Sequence, residues 1–349
     1  MMMEGAKMAL RDHPNLHLKL VGKKEVVESE MRRLNIPAQR VDVVHAAQVI
    51  SMIDPPTTAI RNKKDSSISR ALDLHAAGEA QAVVSSGNTG AQIVASTFSL
   101  GRLEGVLRPV IGSFLPTVQG QCFLLDIGAN PDCKAMNLFQ FGIMGAIFVE
   151  AVLGMENPRV GLLSIGAEET KGNETSLFAY QLFAESHLNF IGNIEGSDLL
   201  AGKVDVAVCD GFVGNLILKF GESFPEFMLK KYEASGNGYD SEGLKLFIAE
   251  NLNPDRSGGA PILGVKGVSV VCHGASSALA IASGINVAID MAGRNINQLI
   301  AKQISEIRRF YEMNKYFLSL RKRWERHRDS SFWGGGKFFN WFSDKEIGE

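Results

Sequence analysis

The sequence predicts an α/β fold with a largely parallel central sheet, on three observations. Short apolar runs that stop at glycine or a polar residue recur along the chain. They alternate with stretches of helical periodicity, the pattern of βαβ units. The 36 glycines outnumber the 11 prolines and fall singly after apolar runs, where they punctuate strands. A chain of 349 residues with 45% hydrophobic content can bury a large core, and at roughly 100 to 200 residues per domain one large α/β domain is enough.

Met1–Leu10 reads as a helix, followed by a strand at His17–Val21, a helix from Lys24 to about Leu34 and a strand at Val41–His45. An α/β domain commonly opens on a strand, so an opening strand and its loop are expected to be absent or to lie upstream. A helix at Ser66–Gly78 then precedes a strand at Ala82–Ser85. Five segments share one design, apolar and then polar or glycine: Ala82-Val-Val-Ser-Ser-Gly87, Phe123-Leu-Leu-Asp-Ile-Gly128, Val160-Gly-Leu-Leu-Ser-Ile-Gly166, Val206-Ala-Val-Cys-Asp-Gly211 and Val268-Ser-Val-Val-Cys-His-Gly274. Two of them open apolar helices through G-x-x-G turns, Gly87-Asn-Thr-Gly90 and Gly211-Phe-Val-Gly214. Glycine lets a backbone approach a ligand closely, and helix N–H groups favour an anion. A parallel sheet would gather such turns at one edge.

Phe224–Pro254 reads as a helical hairpin broken at 235–238, with apolar faces that suit core, a dimer surface or a membrane- or partner-facing lobe. Beyond Ile300, basic residues stand among all three tryptophans, Trp324, Trp333 and Trp341. Such a tail suits an anionic membrane surface or a helix docked on the body. The expected division is therefore a catalytic body over 1–300, carrying the hairpin at about 224–256, and a basic, aromatic-rich C-terminal helix and tail over 301–349.

The formal net charge of −2 hides a basic end, because residues 302–349 hold 11 Lys and Arg against 7 Asp and Glu. No basic face with stacking aromatics marks the body, which argues against nucleic acid as a partner. Cys122, Cys133, Cys209 and Cys272 lack disulfide or zinc spacing, and no metal or cofactor is expected. No leader is visible at Met1–Leu20, and the apolar runs read as too short and too glycine-interrupted to span a bilayer, which predicts a cytoplasmic body.

Four positions carry the chemistry. Lys171 stands between glycines in the polar loop Gly166-Ala-Glu-Glu-Thr-Lys-Gly-Asn-Glu174, where it suits phosphate, or else a solvated loop. Asp126 opens a turn with two carboxylates and an amide, able to orient substrate or to cap a helix and pin loops. Asn215 closes the second G-x-x-G turn. His273 ends a strand, where its imidazole suits an oxyanion or loop carbonyls. There is no nucleophile elbow, no phosphate loop of nucleotide-binding type, no zinc helix and no dinucleotide fingerprint.

Ser86-Gly-Asn-Thr-Gly-Ala91, Asp126-Ile-Gly-Ala-Asn-Pro-Asp-Cys133, Lys171-Gly-Asn-Glu174, Asn189-Phe-Ile-Gly-Asn-Ile-Glu-Gly196 and Val208-Cys-Asp-Gly-Phe-Val-Gly-Asn215 occur in this order. The set resembles the bacterial phosphate acyltransferase family, the acyl-ACP:phosphate acyltransferases of phospholipid synthesis. Gly258-Gly-Ala-Pro-Ile-Leu-Gly-Val265 and His273-Gly-Ala-Ser-Ser277 also look like its pattern, and the likeness runs from about residue 4 to about residue 300.

The resemblance implies a three-layer α/β/α fold similar to isocitrate and isopropylmalate dehydrogenases and to phosphotransacetylase. It also implies a homodimer, peripheral attachment to the cytoplasmic membrane, and catalytic weight on Lys171 and Asn215. The family usually opens with a strand and an Asp-Ala-Met-Gly-Gly-Asp loop, which has no counterpart before Glu4.

The expected reaction is attack of inorganic phosphate on the thioester of an acyl-ACP, the acyl phosphate passing to a membrane glycerol-3-phosphate acyltransferase. Lys171, Asn215 and His273 would be catalytic. Ser86, Gly87, Asn88, Thr89 and Gly90 of the first turn, Asp126 and Asn130, Asn173 beside Lys171, and Asp210, Gly211 and Gly214 would bind phosphate or substrate. The rival readings are a phosphotransacetylase or metal-dependent dehydrogenase on the same fold, and a non-catalytic, membrane-associated homologue.

Overall fold

The computed structural model describes residues 1–234, 241–251, 258–274 and 276–307. The chain divides into two units, Met1–Ile304 and Ser305–Glu349. Of the second unit only residues 305–307 are described. Residues 235–240, where the break at 235–238 is expected, residues 252–257, Ala275 and the residues after 307 lie outside the described residues.

Helix α1 (Met2–Asp12) leads to the parallel pair β1 (Leu18–Gly22) and β2 (Val41–His45), with α2 (Lys24–Leu34) between them. The apolar faces of these elements meet at Leu10, Met31, Ile36 and Val41. Arg40 fixes the join, its guanidinium donating to the carbonyls of Leu10 (2.8 Å), Leu16 (2.8 and 3.1 Å) and His13.

After α3 (Pro56–Asn62) and α4 (Ser67–Ala76) come β3 (Ala82–Ser85), α5 (Thr89–Ser99), β4 (Val110–Thr117), β5 (Gly120–Leu125), α6 (Ala135–Leu153), β6 (Val160–Leu163), α7 (Glu174–Ala184) and β7 (Phe190–Ile194). The chain continues through α8 (Gly196–Ala201), β8 (Val206–Val208), α9 (Gly211–Ala234), α10 (Ser241–Asn251), β9 (Ala260–Leu263), β10 (Val268–Val271) and α11 (Ala278–Gly293). Eight strands form one sheet in the order β3-β10-β9-β4-β5-β8-β6-β7.

Both flanks of that sheet are parallel, β3 with β10 on one side and β5, β8, β6 and β7 on the other. The centre is antiparallel, because β9 runs against both β10 and β4, and β4 runs against β5. The two parallel flanks therefore point in opposite directions. The turns that follow β3 and β10 leave the sheet on one side, and those that follow β5, β8 and β6 leave it on the other. This corrects the expectation that all the glycine turns gather at one edge, because the antiparallel strands β9 and β4 at the centre reverse the direction of one parallel flank against the other.

The core sits against α6, whose residues Phe139, Phe141, Met144, Phe148 and Val149 are almost fully enclosed. The Phe123 and Phe148 rings stack at 4.6 Å, and the Phe114 ring lies 4.8 Å from that of Phe123. With 19 residues, α6 is long and apolar enough by length and composition to cross a membrane, contrary to the sequence reading, which gave weight to its glycines. Two-thirds of it (67%) is buried inside the fold, so its apolar surface is already covered by protein.

Candidate functional site

Asp126 follows β5 directly and is fully buried. A carboxylate this deep is costly unless hydrogen-bonded. Its Oδ1 accepts from the backbone N–H groups of Gly128 (3.1 Å) and Ala129 (3.0 Å), and its Oδ2 from the Asn130 backbone N–H and Nδ2, both at 2.7 Å. Burial pushes its pKa up, and these four donors oppose that rise. Asn130 Nδ2 also donates to the Pro109 carbonyl at 2.8 Å. These bonds give Asp126 and Asn130 the pinning role: together they build the 126–130 turn.

Helix α9 docks its first turn on that structure. Asp210 caps the helix, Oδ1 accepting from the Val213 N–H at 2.9 Å, and the Gly211 N–H donates to the Asn130 carbonyl at 2.8 Å. A Cβ on Gly214 would fall 1.9 Å from the Asp126 carbonyl oxygen, and one on Gly211 would fall 2.9 Å from the Asn130 backbone N and O. The second G-x-x-G therefore lets a helix reach the neighbouring turn, a requirement distinct from ligand approach. Asn215 emerges from this packing exposed to solvent. Its Oδ1 lies 3.7 Å from where a Gly128 Cβ would stand, so its amide borders the exposed backbone of the β5 turn.

Strand β6 runs parallel to β8 and delivers the Lys171 loop to the same side of the sheet. The Lys171 N–H donates to the Glu168 carbonyl at 3.0 Å, and Ser164 Oγ donates to the Lys171 carbonyl at 3.2 Å. Asn193 Nδ2, reaching over from β7, also donates to the Glu168 carbonyl, at 2.8 Å. Asn173 caps α7, its Oδ1 accepting from the Ser176 N–H at 2.9 Å. The Lys171 stem lies 3.0 to 3.4 Å from where a Gly166 Cβ would stand. No carboxylate among the described residues pairs with its exposed ammonium. The loop is thus fixed at several points while its charge stays available.

The turns after β3 and β10 form the other group. Asn88 is buried and fully occupied: Oδ1 accepts from the Ala91 N–H at 2.9 Å, and Nδ2 donates to the carbonyls of Ser51, Met52 and Asp54 at 3.1 to 3.3 Å. The Gly87 N–H donates to Ser85 Oγ at 3.1 Å, while Ser86 and Thr89 are half-buried beside it and Gly90 packs against Pro56. His273 is exposed, and its carbonyl accepts from the Ser276 N–H at 2.9 Å. Gly274 lies against Met52 and the Ser86 carbonyl.

The fold accordingly joins Asp126, Asn130, Asp210, Gly211, Gly214 and Asn215 directly, and sets Lys171 and Asn173 on the turn of the adjoining parallel strand. Ser86, Gly87, Asn88, Thr89, Gly90 and His273 stand on the strands that run the opposite way. Reading the sequence missed Asn193, Ser164 and Arg108, whose Nη1 donates to the Asp132 carbonyl at 2.5 Å. Asn193 lies within the Asn189–Gly196 segment, but nothing in that segment indicates that its amide turns toward another loop.

Burial, aided by the carboxylates of Asp126 and Asp210, pushes the Cys133 thiol up to about 12, and burial pushes Cys122 and Cys272 up to about 12 and Cys209 well above its usual value. Among the described residues no three His, Cys, Asp or Glu side chains cluster to hold a metal ion.

Residues 1–299 match the family described as "Fatty acid synthesis protein". The chain is 45% identical over 313 residues to a phosphate acyltransferase of Pelotomaculum thermopropionicum, covering 87% of this chain and 91% of the relative. It is also 45% identical over 312 residues to a phosphate acyltransferase of Heliobacterium modesticaldum, covering 86% and 93%. Among solved structures, the EutD phosphotransacetylase from Staphylococcus aureus superimposes with a TM-score of 0.53 at 14% identity, over 83% of this chain and 99% of that one. A phosphotransacetylase from Streptococcus pyogenes gives 0.53 at 15% identity, over 87% and 91%. These likenesses bear on the fold alone.

Proposed function

The chain belongs to the bacterial phosphate acyltransferase family and is an acyltransferase that moves a fatty acyl group onto inorganic phosphate for phospholipid synthesis; from that premise we propose that its donor is acyl-ACP and that Lys171 holds the attacking phosphate. The observation that carries the proposal is the exposed ammonium of Lys171, which pairs with no carboxylate among the described residues, on a fixed loop at the same side of the sheet as Asn215.

Phosphate is a competent nucleophile at neutral pH, so the reaction calls for positioning and charge stabilisation more than for a strong base. In the proposed step a phosphate oxygen attacks the thioester carbonyl, the C–S bond breaks, and the ACP thiolate leaves and takes up a proton. The Lys171 charge offsets the approach of a dianion to a developing oxyanion, and the Asn215 amide donates to that oxyanion.

His273 and the Ser86–Gly90 turn are proposed to contact other parts of the donor, on the side of the sheet where they stand. We further propose a homodimer attached to the inner face of the cell membrane, delivering its product to a membrane glycerol-3-phosphate acyltransferase. Support comes from the exposed row Phe212, Leu216, Phe220, Phe224 and Phe227 along α9, with Leu246 and Phe247 on α10, a surface that water alone would cover poorly.

The test incubates acyl-ACP with phosphate and traps acyl phosphate with hydroxylamine. The native chain should yield acyl hydroxamate in a phosphate-dependent manner, and Lys171→Ala should lower kcat/KM by about 100-fold or more. Hydroxamate formation that persists undiminished in Lys171→Ala would remove Lys171 from the site.

A further inference from the structure

We infer that Asn193 is a positioning residue for the acyl transfer, acting through the loop that carries Lys171; the inference rests on the proposed role of that lysine. A lysine side chain has four rotatable carbons, so its ammonium is only as well placed as the backbone from which it springs. That backbone is clamped on both sides. The Lys171 N–H and Asn193 Nδ2 share one acceptor, the Glu168 carbonyl, at 3.0 and 2.8 Å, and the Lys171 carbonyl accepts from Ser164 Oγ at 3.2 Å.

Asn193 is suited to anchor this arrangement. It sits in β7 opposite Leu162 of β6, is 4% exposed, and is therefore held by the sheet while its amide reaches the loop. The described residues supply no donor to its Oδ1. The amide thus serves the fold through one group, its Nδ2, and the beneficiary of that bond is the loop. A leucine of similar volume would fill the space and lose only the link to Glu168. Ser164 secures the other side of Lys171 from the end of β6.

The experiment measures steady-state kinetics of Asn193→Leu and Ser164→Ala, each with native Lys171 and with Lys171→Ala, varying phosphate at saturating acyl-ACP. With Lys171 present, each should lower kcat/KM for phosphate by about 10-fold, chiefly by raising KM, since a displaced anchor loosens phosphate positioning. In the Lys171→Ala background the same changes should cost nothing further, because the group they position is gone. An equal loss in both backgrounds overturns the inference, as does a native KM for phosphate in both variants. If Asn193→Leu fails to fold, Ser164→Ala decides, since it removes the second clamp from a partly exposed position. Undiminished turnover by Lys171→Ala itself overturns the lysine assignment and this inference together. A damaged Lys171→Ala beside unaffected Asn193→Leu and Ser164→Ala overturns this inference alone.

Discussion

Several residues read as substrate contacts are committed to the protein itself. Asp126 spends its lone pairs on four N–H donors, and the glycines of the second turn permit an approach that a methyl group would block. Gly214→Ala should therefore separate α9 from the β5 turn and lower the thermal midpoint by several degrees, at about 1.5 to 2 °C per kcal/mol in a unit as large as Met1–Ile304, with activity lost alongside. Differential scanning calorimetry measures the first effect and hydroxylamine trapping the second. Asp205 offers a pH-dependent test. Burial alone would raise its pKa, but the Arg159 guanidinium, with Nε at 3.0 Å and Nη2 at 2.8 Å, and the Arg159 backbone N–H at 2.7 Å hold it below the usual carboxylate value. A depressed carboxylate stabilises the fold above its unfolded pKa, roughly 3.9, and loses that contribution as pH falls through the lower folded value. Asp205→Asn should be less stable than the native chain to urea at pH 7, and the gap should close on acidification. A gap unchanged from pH 7 into the acid range would show that the pair is not ionic.

At the scale of elements, α9 joins two roles, its first turn shaping the site and its later turns presenting the exposed apolar row. Replacing Leu216 and Phe220, 64% and 69% exposed, by glutamate should shift the chain from the proposed dimer toward monomer in sedimentation velocity while leaving its circular dichroism unchanged. A native sedimentation coefficient would remove this surface as the proposed dimer contact. Elements with clean signals were legible in the sequence: β2, β3, β6, β8 and β10 are short runs dominated by Val, Leu and Ala that stop at a polar residue or glycine, and α2 shows helical periodicity. Three strands were not. In β4, Gly112, Ser113 and Pro116 interrupt the apolar run; β9 has four residues and contains Pro261 although it lies inside the sheet; β7 carries Gly192 and Asn193. Proline and glycine usually argue against a central strand, and here packing overrides that local preference.

For the whole molecule, missing β4 and β9 mattered most, because those two strands reverse the direction of the sheet and divide the glycine turns between its two sides. Motif order was legible and led to the family. Pairing between residues far apart in sequence was not, and it decides which motifs share a site. Asp126, Asn130, Asp210, Gly211, Gly214 and Asn215 are joined by hydrogen bonds and close contacts, and Lys171 comes to the same side on β6. The central claim is that a phosphate oxygen is the nucleophile that ends bonded to the acyl carbon. Turnover with phosphate labelled in every oxygen with the heavy isotope tests it, by mass spectrometry of the acyl phosphate before trapping. The account predicts that every oxygen of the transferred phosphate, including the one bridging to the acyl carbon, keeps its label, with one ACP thiol released per acyl phosphate. A bridging oxygen derived from solvent would contradict it.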